Sequence, residues 1–142
     1  MKVTDLMIGD LILINNTPHK IQAIDSIDAE IQADDELYYV GEDRHHSENK
    51  IEPIPLTTEI LEKNGFEMFK YDGWVHYYRI FGNSAIPFVL HSMIGGEMLS
   101  QEVDIFSTST NTNCGIDVNY VHELQHALRL CRLNKLADNF KL

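Results

Sequence analysis

Cysteine, proline and tryptophan are scarce in this chain of 142 residues, which has two cysteines, four prolines and one tryptophan. The two cysteines, Cys114 and Cys131, are too few for the disulfide framework of a small secreted domain, and their spacing matches no zinc ribbon. Both thiols are therefore expected to stay reduced. Because no apolar leader follows Met1 either, the sequence predicts a cytoplasmic protein.

Long apolar runs and basic residues are also few. No run approaches the roughly 20 apolar residues that a membrane-spanning helix needs. Lysine and arginine number 11 against 22 acidic residues, which gives a formal net charge of −11. Such a field repels phosphate backbones and anionic membranes, so direct binding to nucleic acid or membrane is not expected. A protein partner fits the charge better, and a homodimer is left open.

Residues 1–56 hold most of the acidity and are predicted to form short strands. They carry 12 acidic and 4 basic residues, whereas residues 57–142 carry 10 and 7. Apolar runs and alternating segments separated by turn residues occupy positions 10–14, 19–24, 28–33 and 36–40. Several short strands with tight turns predict an SH3-like small β-barrel in this part of the chain.

Residues 57–142 predict an α+β unit made of a helix, about four antiparallel strands and a C-terminal helix. Thr57 is placed to cap the first helix, and Gly65 to end it in the left-handed conformation. Asp72 and Gly73 form a two-residue hairpin signal between two alternating segments. The domain boundary is therefore expected at Leu56.

The last helix is predicted to begin after Asp117, as its N-cap, and to run to about Leu133. Apolar residues at three-and-four spacing predict its buried stripe. The stripe consists of Val121, Leu124, Leu128 and Cys131. If this stripe packs on the sheet, the opposite face of the helix lies in solvent.

The chain has a single catalytic-looking motif, His122-Glu123-Leu124-Gln125-His126. Its two histidines lie on that opposite face. In the H-E-x-x-H pattern, two histidines four residues apart on a helix bind one zinc ion, and the glutamate activates the metal-bound water. A catalytic zinc usually takes a third protein ligand, and Arg132 stands where the extended motif has histidine. We therefore expect no catalytic residue, metal or other cofactor. A zinc site of His122 and His126 with Glu123 as base is the alternative.

Aromatic residues are concentrated in one predicted strand. Trp74 and Tyr78 share one face of that strand by alternation, and Tyr77 lies on the other. Such residues are enriched in protein interfaces, so they are candidate interaction residues. The alternative is that they form the core of the sheet.

Four segments carry a family resemblance. They are TDLMIGD at 4–10, PIPLT at 53–57, EILEKNGF at 59–66 and YVHELQ at 120–125. The segments resemble a group of short uncharacterised proteins from gut Bacteroidetes genomes and their phages or mobile elements. In that group asparagine often stands at the position of His126, which implies that the zinc pattern is incidental. The resemblance implies a source and a fold, and no activity.

Three functions are consistent with these features. The first is a non-enzymatic accessory or interaction protein of a phage or mobile element. The second is a zinc-dependent hydrolase that uses the H-E-x-x-H motif. The third is an acidic DNA mimic that inhibits a DNA-binding enzyme, which requires carboxylates arrayed on one face of the protein.

Overall fold

The computed structural model describes residues 1–41, 49–71, 74–79, 88–93, 101–107 and 112–142. Within these ranges the chain forms three α-helices and two antiparallel sheets, so the predicted α+β class is confirmed. No helix in these ranges is long and apolar enough to cross a membrane.

The first sheet follows a 3-10 turn at Val3–Asp5. Its strands are β1 (Leu11–Ile14), β2 (Thr17–Asp25), β3 (Glu30–Ala33), β4 (Glu36–Tyr39) and β5 (Ile51–Pro53). They lie in the order β4-β3-β2-β1-β5, and all neighbours are antiparallel. No pairing between described residues joins the edge strands β4 and β5. A closed barrel is therefore not observed in the described part of the chain.

Local chemistry explains these strands. Alternate residues are buried in β1 and β3, as expected for strands with one face against a core. Two hairpins turn through residue pairs with positive φ, namely Asn15-Asn16 at 52° and 65° and Asp34-Asp35 at 49° and 64°. Asparagine and aspartate tolerate this conformation better than other residues with side chains, so the sequence determines both turns.

The second unit contains α1, five strands and two more helices. They are α1 (Thr58–Lys63), β6 (Glu67–Tyr71), β7 (Trp74–Arg79), β8 (Phe88–Met93), β9 (Gln101–Ser107), β10 (Thr112–Val118), α2 (Val121–Leu130) and α3 (Asn134–Asp138). The sheet order is β10-β9-β8-β7-β6. Five strands replace the expected four, because residues 112–118 pair with β9 along their whole length. Cys114, Ile116 and Val118 alternate with polar residues there, which is a strand pattern that the expected helix cap at Asp117 left out.

The start and end of α1 agree with the prediction. The Thr57 hydroxyl accepts a hydrogen bond from the Ile60 amide at 3.3 Å, and Gly65 has a φ of 75°. Phe66 then folds back into the core. The hairpin of β6 and β7 is also confirmed, since Tyr71 pairs with Trp74. The turn residues Asp72 and Gly73 lie outside the described residues.

Two hydrophobic clusters are joined by β1. Ile12 and Ile14 point into the cluster of the first sheet, whereas Leu11 and Leu13 pack against the cluster around α2. Residues 54–56 pair with residues 119–121 through a short β-bridge. The segment that links the two units is therefore itself part of the packing, and α2 lies between them.

Candidate functional site

The H-E-x-x-H motif lies in the first two turns of α2, which begins later than expected. Tyr120 is the N-cap, and the Glu123 carboxylate accepts hydrogen bonds from the amides of Asn119 at 2.6 Å and Tyr120 at 3.1 Å. Asp117 belongs to β10 and pairs with Glu102, so the prediction that it caps the helix is wrong. A glutamate in the third helical position supplies the cap, as in a capping box.

The apolar stripe of α2 is buried, as predicted. Val121, Leu124 and Leu128 are fully buried. Cys131 follows the last turn half-buried, and burial raises the pKa of its thiol. The helix ends at Leu130, three residues earlier than expected.

The opposite face of α2 is not in solvent, and this expectation is corrected. His122 is 4% exposed, and the His126 side chain is 21% exposed. The expectation counted only one sheet as a neighbour of the helix. In the structure residues 9–11 of the first unit contact the helix at Gln125 and His126, and the His122 ring packs against Tyr120 and His126.

Asp10 is the centre of the contact. Its side chain is fully buried. Its Oδ2 accepts one hydrogen bond from the Met7 amide at 2.7 Å and lies 2.7 Å from Nε2 of His126. Its Oδ1 accepts from Nη1 of Arg129 at 2.6 Å. Arg129 also reaches Asp138 at 3.4 Å. Charge-assisted hydrogen bonds from these partners offset the cost of burying the carboxylate, and removing one partner would leave a buried charge uncompensated.

Gly9 allows the close approach of the two units. It has a φ of 90°, and a Cβ atom at this position would lie 2.8 Å from Nη2 of Arg129. An added methyl group would therefore strain the backbone and displace the guanidinium. Its amide donates to the Ile21 carbonyl at 2.8 Å, which anchors the segment to β2.

Gln125 forms a second buried contact between the units. Its Oε1 accepts from the Leu11 amide at 2.9 Å, and its Nε2 donates to the carbonyls of Gly9 at 3.1 Å and Ala137 at 2.7 Å. The side-chain amide thus joins β1, α2 and α3. Every polar atom of this fully buried side chain has a partner, as the cost of burying an amide requires.

His122 packs between two rings in a buried environment. Its ring is stacked on Tyr120 at a centroid distance of 5.9 Å and meets His126 edge-on at 5.8 Å. Its Nδ1 is buried and has no hydrogen-bond partner among the described residues. Burial lowers the pKa of His122 below its ordinary value, and this outweighs the opposite effect of the nearby Asp10 carboxylate.

These contacts give each motif residue a structural role. Glu123 caps the helix, His126 bonds Asp10, and His122 is buried against the rings of Tyr120 and His126. Across the described ranges, no group of three metal-ligating side chains comes together. The arrangement joins the two halves of the molecule, and its chemistry is that of a buried ion pair.

Sequence reasoning missed Asp10 and Gln125. Gln125 lies four residues after Val121 and three before Leu128, so its place within the apolar stripe was visible in the helical spacing. A polar residue on such a stripe indicates a buried hydrogen-bonded group. Asp10 had no comparable signal, because its side-chain partners His126 and Arg129 lie more than 100 residues away.

The candidate interaction residues are partly described. Tyr77 is buried in the core around α2, and its hydroxyl lies 2.7 Å from the hydroxyl of Thr58. It therefore packs in the interior of the second unit. The side chains of Trp74 and Tyr78 lie outside the described part of the molecule.

Comparisons with protein-family models, with curated proteins and with solved structures each find no match to this chain. The resemblance to short Bacteroidetes proteins therefore stays a prediction.

Proposed function

We propose that this chain is a non-enzymatic interaction protein. The observation that carries the proposal is the hydrogen bonding of Glu123, whose carboxylate is held by the backbone amides of Asn119 and Tyr120. In a zinc hydrolase this residue faces the metal-bound water as general base. Here the carboxylate is used as a helix cap, and His126 is used as a partner of a buried aspartate.

The interaction surface that we propose is the acidic outer part of the first sheet. Within residues 25–36, five of the six acidic side chains are exposed: Asp25, Asp28, Asp34, Asp35 and Glu36. One of them, Asp34, forms an ion pair, with His19 at 2.7 Å. Leu37, next to them on the edge strand β4, is 68% exposed. An acidic edge with an exposed apolar residue fits a basic protein partner.

The test is photo-crosslinking in the organism that carries the sequence. A photoreactive residue replaces Leu37, and the control places it at Met68, an exposed position on β6 of the second unit. We expect a specific basic protein to crosslink at position 37 and not at position 68. Replacing Asp34, Asp35 and Glu36 by their amides should abolish the crosslink, because the exposed carboxylates then no longer attract the partner.

The identity of the captured protein distinguishes two forms of the proposal. A captured DNA-binding enzyme, displaced by duplex DNA, would support the acidic DNA mimic. A basic protein that duplex DNA does not displace would support an ordinary accessory protein. Equal crosslinking at both positions, or crosslinking that survives the amide substitutions, would contradict the acidic surface in either form.

One observation favours the zinc-dependent hydrolase as a second candidate. Histidines that bind metals usually have a carboxylate partner on the other ring nitrogen, and Asp10 holds His126 in that way. The buried Nδ1 of His122 has no hydrogen-bond partner within the part of the chain that the structure describes. Metal analysis decides between the candidates. We would replace our proposal by the zinc hydrolase if the chain holds one zinc ion, if His126→Ala loses that ion, and if Glu123→Gln keeps the ion but has no peptidase activity.

Two finer points belong to this proposal. We infer an SH3-like barrel for the first unit, supported by its five short antiparallel strands. We also propose an origin in a phage or mobile element of gut Bacteroidetes, supported by the four similar segments described above.

A further inference from the structure

A cleft at the C-terminal ends of α1 and α2 differs in charge from the rest of the molecule. Its volume is about 840 Å³, within the size range of binding sites. Its charged lining residues are Lys63, Arg132, Lys135 and Lys141. None of the described residues that line it is acidic, although acidic residues outnumber basic ones two to one in the whole chain.

The cleft has an apolar part and free cationic groups. Leu133 and Leu136 line it and are half-buried. The side chains of Arg132, Lys135 and Lys141 are exposed and form no ion pair with any described residue. Lys63 is different, because its ammonium group donates to the Leu142 carbonyl at 2.9 Å. The lining therefore suits an occupant that has acidic groups beside an apolar one.

Arg132 keeps its side chain at a backbone position that favours glycine. Its φ is 62°, one residue after the C-cap of α2, where a left-handed residue closes the helix. The Leu133 amide bonds back to the Leu128 carbonyl at 2.8 Å, which completes the closing turn. A residue with a Cβ atom is strained there, so the arginine reduces stability while adding charge to the cleft.

The same chain carries a segment of the matching chemistry. In the turn between β2 and β3, Ile27 is 91% exposed and lies between Asp25 and Asp28. The Asp25 carboxylate accepts from the amides of Ile27 at 2.8 Å and Asp28 at 3.2 Å, so the turn is held in one shape. Because Ile27 is exposed, the turn does not occupy the cleft of its own molecule.

We propose that the cleft binds the β2–β3 turn of a second copy of this chain, in a head-to-tail contact. Ile27 packs on Leu133 and Leu136, and the neighbouring carboxylates face Arg132 and Lys135. The contact uses two different surfaces of the molecule, so it leaves one turn and one cleft unoccupied in each dimer and can extend to longer chains. It goes beyond the proposed function, because it involves no foreign partner.

The net charge of −11 opposes association of two copies. At physiological salt the screening length is about 8 Å, so repulsion between distant acidic groups is reduced while the local contact persists. A small interface of this kind is weak, with a dissociation constant in the range of roughly 10 μM to 1 mM.

The experiment measures self-association of the full chain by sedimentation velocity between about 10 μM and 1 mM, the range of weak contacts. Two variants remove one side each: Ile27→Ser removes the apolar residue of the turn, and Arg132→Gly removes a cation of the cleft. Both are expected to weaken association at least about tenfold, a loss that one or two small contacts explain. Arg132→Gly should also raise Tm by roughly 2–5 °C, since the backbone strain is relieved.

Mixing the two variants is the decisive arm. Ile27→Ser keeps an intact cleft, and Arg132→Gly keeps an intact turn, so a 1:1 mixture should form a heterodimer that cannot extend further. Leu37→Ser and Lys70→Gln are the matched controls, because they remove an exposed apolar residue and a cation elsewhere. Both controls should associate like the unchanged chain.

Three results would overturn the proposal. They are a monomer at every concentration, equal association of both variants and the unchanged chain, and a mixture that behaves as the two variants do separately. Because Ile27 is exposed and Arg132→Gly is expected to stabilise the fold, misfolding does not account for a loss of association. A failure here leaves the crosslinking test at Leu37 unaffected.

Discussion

The Asp10 carboxylate and the His126 imidazole lie 2.7 Å apart although 116 residues separate them in the chain. The second histidine of a metal-binding pattern therefore belongs to a buried polar contact between the first unit and α2. This contact also makes the stability of the whole molecule depend on polar groups in one place.

Removing the Asp10 carboxylate should destabilise the protein strongly. Asp10→Ala leaves the Arg129 guanidinium, the His126 ring and the Met7 amide without their shared partner. Breaking a buried pair in this way costs about 3–5 kcal/mol. Chemical denaturation measures the free energy of unfolding. The control is Asp138→Ala, which removes the exposed second partner of Arg129 and should cost under about 1 kcal/mol. Similar losses in both variants would contradict the claim that the buried contacts of Asp10 contribute more to stability than the exposed pair of Arg129 and Asp138.

A carboxylate should not replace the side-chain amide of Gln125, because the amide accepts one hydrogen bond and donates two. Gln125→Glu keeps the shape but places an acceptor against the carbonyls of Gly9 and Ala137. We expect a loss of about 3 kcal/mol at pH 7, because a buried charge loses its hydration and two acceptors lose their donor. The loss should shrink at acid pH, where the protonated carboxyl can donate to one carbonyl. A stable Gln125→Glu variant at neutral pH would show that the amide is not buried as described.

Glu123 offers a test of structural against catalytic roles. Glutamine at this helical position can still bond the amides of Asn119 and Tyr120, so Glu123→Gln should change stability by under about 0.5 kcal/mol. Glu123→Ala removes the cap and should cost about 1 kcal/mol. Thermal unfolding of the two variants gives the comparison. Equal stability of Glu123→Ala and the unchanged chain would mean that the carboxylate does not cap α2.

Because of His122, the free energy of unfolding should decrease as the pH is lowered below the ordinary pKa of histidine. Burial lowers the pKa of His122 in the folded protein, so below pH 6.5 the unfolded chain binds this proton more readily. The free energy of unfolding then falls by up to about 1.4 kcal/mol per pH unit as the pH drops. Nearby Asp10, Glu123 and Asp5 reduce this effect, and His126 increases it.

His122→Phe is the matched variant for this pH dependence. A phenyl ring fills a similar space, carries no titrating group and removes the buried Nδ1, which no described residue hydrogen-bonds. We expect a flatter stability profile between about pH 5 and pH 7, with no loss at neutral pH. A profile as steep as that of the unchanged chain would assign the pH dependence to other groups.

Elements determined by neighbouring residues were predictable. The cap at Thr57 and the left-handed Gly65 set the limits of α1, because both act on amides and carbonyls within one helical turn. The short apolar run of β1 likewise predicted a strand. The strand at residues 112–118 was missed although Cys114, Ile116 and Val118 alternate with polar residues, because the expected helix cap at Asp117 left no strand before it.

The candidate site was predictable only in part. The sequence shows that His122, Glu123 and His126 lie on one helix and that Gln125 interrupts its apolar stripe. It does not show what covers the other face of the helix.

Residues near one another in the sequence determined the first helix, the strands of the first unit, the acidity of that unit and the apolar face of the last helix. Tertiary packing alone decided that the histidine face is buried, because residues 9–11 reach it from the far end of the chain. The physical reason is that a buried charge or amide needs partners, and side-chain spacing along one helix does not reveal partners supplied by another element.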